Sequence, residues 1–230
     1  MLISKMQSYR DTILGAIMLL VPLLFILGFA SHPNLQSLTV MNDASDWVKE
    51  IRHNEHLQVA HLFVFLAAGI LIYIALGIKS LLNSKSHMHA VIGLFLVIFG
   101  SIALAADKGA LSFVPSAFDT LDDSQYQQLL PGLQTMLDKK GLLFIVNLII
   151  LLPTGFIVLS VGMLKVKLFS AWQPIVLILA MLLFMNPDID LISLIASVLL
   201  LISMGGMGIT LIRRQRMIHS ANSEDCEEGI

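Results

Sequence analysis

The chain has 230 residues, of which 57% are hydrophobic and 13% charged, and its mean hydropathy is +0.85. A soluble domain is about half apolar and about a quarter charged, so this composition excludes a water-soluble fold. The 14 basic and 16 acidic residues nearly cancel, which leaves no basic surface of the kind that binds nucleic acid. Because Cys226 is the single cysteine, intrachain disulfides and thiolate metal clusters are also excluded.

Six apolar segments are long enough to cross a membrane as helices, since a hydrocarbon core about 30 Å thick requires about 20 residues. In lipid each segment must satisfy its own backbone hydrogen bonds, which makes all six α-helical. The first segment follows Lys5 and Arg10 and resembles a signal peptide, but its length and the later spans favour a retained helix. The predicted spans are 13–30, 57–78, 90–106, 142–164, 168–185 and 191–212.

The basic residues favour one side of the membrane. With six spans, nine of the 14 basic residues fall in the compartment that holds both termini, and five fall on the other side. Segments rich in Lys and Arg remain in the cytoplasm. The sequence therefore predicts an integral protein of the bacterial cytoplasmic membrane with both termini in the cytoplasm.

Two long connections on the predicted outer side have helical patterns. Residues 43–56 lead directly into the second span, and residues 120–140 carry Leu and Met at three- and four-residue intervals. Pro131 is expected to break or tilt the second helix. The predicted fold is all-α and polytopic, with six transmembrane helices and two helical outer connections. It forms one domain, 1–219, and the acidic cytoplasmic tail, 220–230, is expected to be disordered.

The densest polar cluster precedes the second span. If residues 46–56 form one helix, then Asp46, Glu50, His53 and His56 share about a third of its circumference. Such a stripe of carboxylates and imidazoles could ligate Zn²⁺, Cu²⁺ or iron, or titrate near neutral pH as a sensor or proton entry point. The remaining interpretation is a solvated helix start, whose polar side chains face water before the chain enters lipid.

Two histidines offer a haem site. His61 lies inside the second span, where an ionisable side chain faces a bundle interior or a water-filled cavity; the alternative is an imidazole hydrogen-bonded to a neighbouring helix at the interface. Bis-histidine haem needs ligands from two helices at matched depth. His32, just beyond the first span, provides this with His61 or His53, and we take His32 and His61 as the predicted cofactor ligands.

Asp107 and Lys108 form a second unusual site, because apolar sequence continues after them. Adjacent residues on a helix do not face each other, so we expect each charge to find a partner elsewhere, with Asp107 accepting a hydrogen bond from His61. The predicted buried network is His61, Asp107 and Lys108. The alternative is that both charged side chains extend to the membrane interface.

No reaction is predicted, since the sequence contains no HExxH, GxSxG, CxxCH or Walker glycine motif. We expect a non-enzymatic accessory or sensing component that acts through its outer face, with the lipid bilayer and a membrane-protein partner or second copy around it. One alternative is a haem- or metal-binding component of an oxidoreductase system. Another is a small proton-linked transporter, although Asn147 is the only polar group that the sequence offers at mid-membrane for it.

Overall fold

The computed structural model describes residues 2–32, 35, 43–82, 85–186 and 189–227, and within these ranges it contains helices and no strands. This confirms the predicted all-α class. A π-helical turn, Gly109–Phe113, joins α4 to α5, and a 3₁₀ segment, Gly141–Ile150, leads into α7. The α-helices are α1 (Leu2–Ala30), α2 (Ala44–Ile51), α3 (Glu55–Leu82), α4 (His87–Lys108), α5 (Val114–Ala117), α6 (Asp123–Leu137), α7 (Leu151–Lys165), α8 (Trp172–Leu183) and α9 (Asp190–Glu227).

Five helical stretches of the described chain are long and apolar enough to cross a membrane. They are Tyr9–Ala30, Glu55–Leu82, His87–Thr120, Gly141–Lys165 and Asp190–Gln215. The predicted fifth span, 168–185, contains only the 12 residues of α8. At 1.5 Å per residue this helix is about 18 Å long, well short of a hydrocarbon core about 30 Å thick. The helix is shorter than predicted because the turn after α7 takes up the first residues of the apolar run.

Contacts at its two ends place the segment that contains α8. At its start, the Leu168 carbonyl accepts a hydrogen bond of 3.0 Å from Arg214, near the end of the apolar part of α9. At the C-terminal end of this segment, the centre of the Phe184 ring lies 6.1 Å from that of Phe29, near the end of α1. The segment therefore runs antiparallel to α9 from one end of the bundle to the other.

The long helices pack as a closed ring. In order around it, α1 packs against α3, α3 against α4, α4 against α7, α7 against α8, α8 against α9, and α9 against α1. The main hydrophobic core fills this ring and includes Met18, Ile74, Phe156, Leu177 and Met204.

The outer faces of the ring helices expose large apolar side chains. Examples from five ring helices are Leu20, Leu66, Phe95, Leu179 and Ile202, each at least 47% exposed. A soluble monomer rarely exposes an apolar belt of this kind, whereas lipid chains cover one without cost. The exposed belt and the long apolar helices together define a helical membrane protein.

Two helix pairs of the ring approach closely through glycines. A Cβ atom added to Gly15 of α1 would lie 2.6 Å from the carbonyl oxygen of Gly208 in α9. A Cβ atom added to Gly155 of α7 would lie 2.8 Å from the carbonyl oxygen of Gly93 in α4. Small residues permit such backbone contact between membrane helices, where dispersion forces rather than hydrophobic burial drive association.

The two ends of the ring differ in composition. At what we call the basic end, the α1 start meets the α9 end, where Gln215 donates a 3.2 Å hydrogen bond to Asp11. The α7 end meets the α4 start there, with Lys165 Nζ 3.1 Å from His89 Nε2. The opposite end, which carries α2 and α6, is called the capped end below.

The helices α2 and α6 form a small second core at the capped end, with buried Ala44, Trp47, Val48, Leu57, Tyr126 and Leu133. Arg52, at the C-cap of α2, connects this helix to α6 and the residues before it. Its guanidinium lies 4.3 Å from the centre of the Tyr126 ring, contacts Asp123 at 2.9 Å and donates to the Leu121 carbonyl at 3.0 Å. Pro131 lies inside α6 without ending it, so of the two expected outcomes, a broken or a tilted helix, the broken helix is wrong.

The prediction of one helix over residues 46–56 was wrong. Helix α2 ends at Ile51, and α3 begins at Glu55. Between them His53 takes a left-handed backbone conformation with φ 58°, and the side chain of Asn54 accepts a hydrogen bond from the Leu57 amide at 3.1 Å. Asn favours such a cap over a helix interior, so one helix ends here and the next begins.

At the other end of the chain, α9 continues to Glu227, so its helix extends into the tail for which disorder was expected.

Candidate functional site

His32, Asp190 and His61 lie together at the capped end. His32 Nδ1 is 3.0 Å from Asp190 Oδ1, and the His32 ring meets the His61 ring edge to face, with their centroids 5.1 Å apart. His61 is only 6% exposed, and its Nδ1 atom has no hydrogen-bond partner among the described residues. The structure thus brings the predicted pair His32 and His61 together and adds Asp190 to it.

A second set of charges lies beside this pair. Asp107 is buried at the end of α4, with Lys108 Nζ 3.7 Å from one of its carboxylate oxygens and Lys139 Nζ 4.0 Å from the other. No hydrogen bond from His61 to Asp107 is formed; the carboxylate faces the two lysines instead. The side chains of Lys108 and Lys139 are only 20% and 25% exposed.

Lys139 reaches Asp107 because of the way α6 ends. Its amide bonds the Met136 carbonyl at 2.9 Å, and the Lys140 amide bonds the Thr135 carbonyl at 3.1 Å. These two bonds form a Schellman motif, in which the residue after the C-cap is left-handed and is usually glycine. Lys139 occupies that position with φ 52°. The cap of α6 therefore fixes the direction of a cationic side chain.

A cavity of about 100 Å³ opens inside the ring next to these charges. All six helices or their adjoining segments contribute to its wall, which carries Asp107, Lys108 and Lys139 at one end. The rest of the wall is apolar and consists of Phe25, Phe29, Val64, Leu71, Leu104, Ile149, Leu152, Pro153, Phe156, Met181, Phe184 and Leu200.

The predicted metal ligands Asp46, Glu50, His53 and His56 do not form one cluster. Asp46 is exposed and pairs with Lys49 at 2.8 Å, while the backbone amide of His53 donates to Asp119 at 3.2 Å. His56 lies on an exposed face with Val59 and other residues. Among the described residues, no three His, Cys, Asp or Glu side chains are arranged to hold a metal ion.

The geometry of His32 and His61 also fits haem poorly. A metal–imidazole bond is about 2 Å long, so two axial nitrogens stand about 4 Å apart on opposite faces of the porphyrin. The observed imidazoles instead contact each other edge to face with centroids 5.1 Å apart. This contact leaves no space for a macrocycle between the rings.

Glu50 is the member of the predicted stripe that lies near the buried pair. Burial raises the pKa of its carboxyl above the ordinary value, and the negative charge of Asp190 raises it further. Its neighbour Asp46 adds a smaller effect in the same direction, while His32 acts in the opposite one. Glu50 therefore joins the charge cluster at the capped end, whereas the other three residues of the stripe face outward.

Two residues of the cluster were missed by the sequence analysis. Lys139 is one of the five basic residues on the predicted outer side, and nothing local shows that its side chain turns towards Asp107. Asp190 directly precedes the last predicted span, 191–212, and nothing local shows that it reaches His32. Gly141 signals a helix end nearby, but the left-handed position that a glycine predicts is Gly141 itself rather than Lys139.

Comparison with protein-family models, curated proteins and solved structures finds no match to this chain. The fold and the site define its class, a helical membrane protein with a charge cluster at one end of a ring of helices.

Proposed function

We propose that this protein crosses the bacterial cytoplasmic membrane six times, with both termini in the cytoplasm and the capped end outside. In this arrangement the segment that contains α8 is the fifth crossing, despite its short helix. Support comes from its end contacts, Arg214 with Leu168 and Phe29 with Phe184. Support for the orientation comes from the basic residues near the other end, which the positive-inside bias assigns to the cytoplasm.

Cysteine labelling with a membrane-impermeant maleimide tests this topology. In intact cells we expect no labelling of the native Cys226 or of Ser170→Cys in a Cys226→Ser background, and strong labelling of Ser45→Cys in that background. All three should react after permeabilisation. If α8 does not cross, Ser170→Cys and Cys226 will react from opposite sides of the membrane, and the six-crossing proposal fails.

We further propose that the protein is a non-enzymatic accessory or sensing component that acts through the capped end, together with a membrane-protein partner or a second copy. One observation carries this proposal: the charges of Asp107, Lys108 and Lys139 adjoin both a folded cap and a cavity in the ring. Buried charges in membrane proteins are costly and mark functional sites. The cap, fastened by Arg52, can transmit a change at these charges to the outer surface.

Photocrosslinking from the capped end tests this function. A photoreactive residue replaces exposed Ser45, and a matched control replaces exposed Met88 at the basic end. We expect a discrete crosslinked species from position 45 that is lost when Asp107 is changed to Asn. Equal crosslinking from both positions, or a product that is unaffected by Asp107→Asn, would contradict the proposal.

A proton-linked transporter is the second candidate, and the line of titratable groups favours it. His32 contacts Asp190, His61 contacts His32, and Lys108 and Asp107 follow towards the cavity. Proton flux in reconstituted vesicles that is abolished by His61→Gln would support this candidate over the sensing role.

A visible spectrum and a metal analysis of the purified protein would test the haem or metal alternative, which predicts a Soret band or stoichiometric metal.

A further inference from the structure

We propose that the cavity inside the ring binds a single-chain amphiphile with an anionic headgroup. The headgroup lies at Lys108 and Lys139, and the alkyl chain extends among the apolar side chains of the ring. This inference rests on the proposed function, because it names the ligand class that a sensing component of this shape would detect.

The charges at the cavity end favour an anion. Two ammonium groups face one carboxylate, so the set of Asp107, Lys108 and Lys139 carries one excess positive charge. The lysine nitrogens lie 3.7 and 4.0 Å from the Asp107 oxygens, beyond hydrogen-bond distance. Among the described residues neither ammonium has a hydrogen-bond acceptor, although each has three N–H donors. A carboxylate or phosphate entering here would supply the missing acceptors and balance the charge.

The walls of the cavity favour an alkyl chain. Away from the charged end every lining residue is apolar, so water has no partners there and an apolar group is favoured. Val64 and Leu71 both line the cavity and are separated by seven positions on α3, which is about 10 Å along a helix. The cavity is therefore elongated from the charged end towards the middle of the ring.

The size of the cavity favours one chain. Its volume of about 100 Å³ is smaller than that of an engineered cavity of about 150 Å³ that binds benzene, so it accepts a chain of about six carbon atoms and excludes the long chains of a diacyl lipid. A ligand with one short chain and an anionic group at its end satisfies both the volume and the charge. A short fatty carboxylate and a short alkyl phosphate share these features.

Saturation binding tests the proposal on the full chain in nanodiscs of zwitterionic lipid, with radiolabelled hexanoate as the probe. We expect saturable binding of one hexanoate per protein, and hexanol, which has the same chain without the charge, should compete poorly. The double variant Lys108→Gln/Lys139→Gln should bind at least about tenfold more weakly, because it removes the charge-assisted hydrogen bonds to the headgroup. Lys140→Gln is the matched control, because this lysine is exposed and pairs with Asp138; its binding should be unchanged.

A second variant separates lost binding from lost folding. Leu104→Phe keeps all three charges and fills the cavity, so it should abolish hexanoate binding while circular dichroism and the thermal midpoint without ligand stay near those of the wild type. Native mass spectrometry of the purified protein then distinguishes a fatty carboxylate from an alkyl phosphate by mass. Non-saturable uptake, or equal binding by the wild type and the double variant, would overturn the proposal. Such a result would leave the maleimide and photocrosslinking results of the proposed function unaffected.

Discussion

Lys139 combines a left-handed backbone with a partly buried charge, and Lys167 provides its natural comparison. Both residues are left-handed, with φ 52°, and both follow the C-cap of a helix. The Leu168 amide bonds the Met163 carbonyl at 3.1 Å, which completes the same Schellman motif after α7. The two lysines differ in surroundings, since Lys139 faces the Asp107 carboxylate.

Replacing each lysine with glycine separates backbone strain from charge. A left-handed conformation costs a non-glycine residue about 1 kcal/mol, and glycine removes this cost. We expect Lys167→Gly to raise the thermal midpoint measured by tryptophan fluorescence in detergent. Lys139→Gly should raise it less, because Asp107 loses one of its two cations. A larger gain for Lys139→Gly would show that the cation is not stabilised by Asp107.

Glu50 gives the capped end a pH dependence whose sign follows from its surroundings. Because burial and Asp190 raise its pKa in the folded state, the folded protein binds this proton more tightly than the unfolded chain does. Its contribution to stability is then most favourable at acidic pH and declines as the pH rises through the raised pKa. Glu50→Gln should accordingly raise the thermal midpoint at pH 7.5, and the gain should vanish near pH 4. A gain of equal size at both pH values would exclude the carboxylate charge as the cause.

The cap depends on one arginine more than on the exposed ion pairs around it. Arg52 contacts the Tyr126 ring, the Asp123 carboxylate and the Leu121 carbonyl with a side chain only 14% exposed. Arg52→Ala should release α6 from α2 at a cost of about 2 kcal/mol, since it removes charge-assisted hydrogen bonds and a cation–π contact. Hydrogen exchange is the direct measurement, and we expect faster exchange of amides 123–137 with little change in α9.

The matched control is Lys49→Ala. Lys49 lies in α2, and Arg52 is the C-cap of the same helix. The Lys49 side chain, however, is 73% exposed, and its only ion pair in the described structure is with Asp46, three residues away. Exposed pairs of this kind contribute between 0 and about 1 kcal/mol. If Lys49→Ala accelerates exchange in α6 as strongly as Arg52→Ala, then loss of a positive charge, rather than loss of the Arg52 contacts, frees the cap.

The elements that the sequence predicted well are those set by local composition. Membrane helices are defined by the length of an apolar run, and four of the five found begin and end within four residues of predicted spans. The third, predicted as 90–106, continues through the π-helical turn and α5 to Thr120, because apolar sequence follows Asp107 and Lys108. The apolar run 168–185 predicted a helix longer than the 12 residues of α8. Composition alone does not show how many residues of such a run belong to a turn. Likewise the break at His53 depends on a cap by Asn54, which competes with the helical pattern around it.

The site was partly predictable for the same reason. His61 and Asp107 stand out because each interrupts an apolar run, and both prove to be buried. Their partners could not be read from the chain, since Lys139 and Asp190 reach the cluster through the ends of other helices. The predicted ligand stripe failed where it assumed a continuous helix, because one left-handed residue changes the direction of every side chain after it.

The contact between α1 and α9 closes the ring, and a substitution at Gly208 tests how much this contact contributes to stability. A Cβ atom at Gly208 would strike the Gly15 carbonyl, so Gly208→Ala should force the helices apart and cost about 1–3 kcal/mol. The control is Gly69→Ala in α3, where an added Cβ has no neighbour within 4 Å; it should be neutral or slightly stabilising. The measurement is the thermal midpoint of each variant. Equal loss in both would mean that helix separation is not the cause.

The order of the ring also has a consequence for synthesis. Helix α1 is made before the other ring helices, yet one of its two neighbours, α9, is made last of them. During insertion the face that carries Gly15 and buried Asp11 must meet lipid or another protein until α9 arrives. The hydrogen bond from Gln215 to Asp11 therefore forms only after α9 has been made, and it belongs to the last step, which turns an open row of helices into a ring.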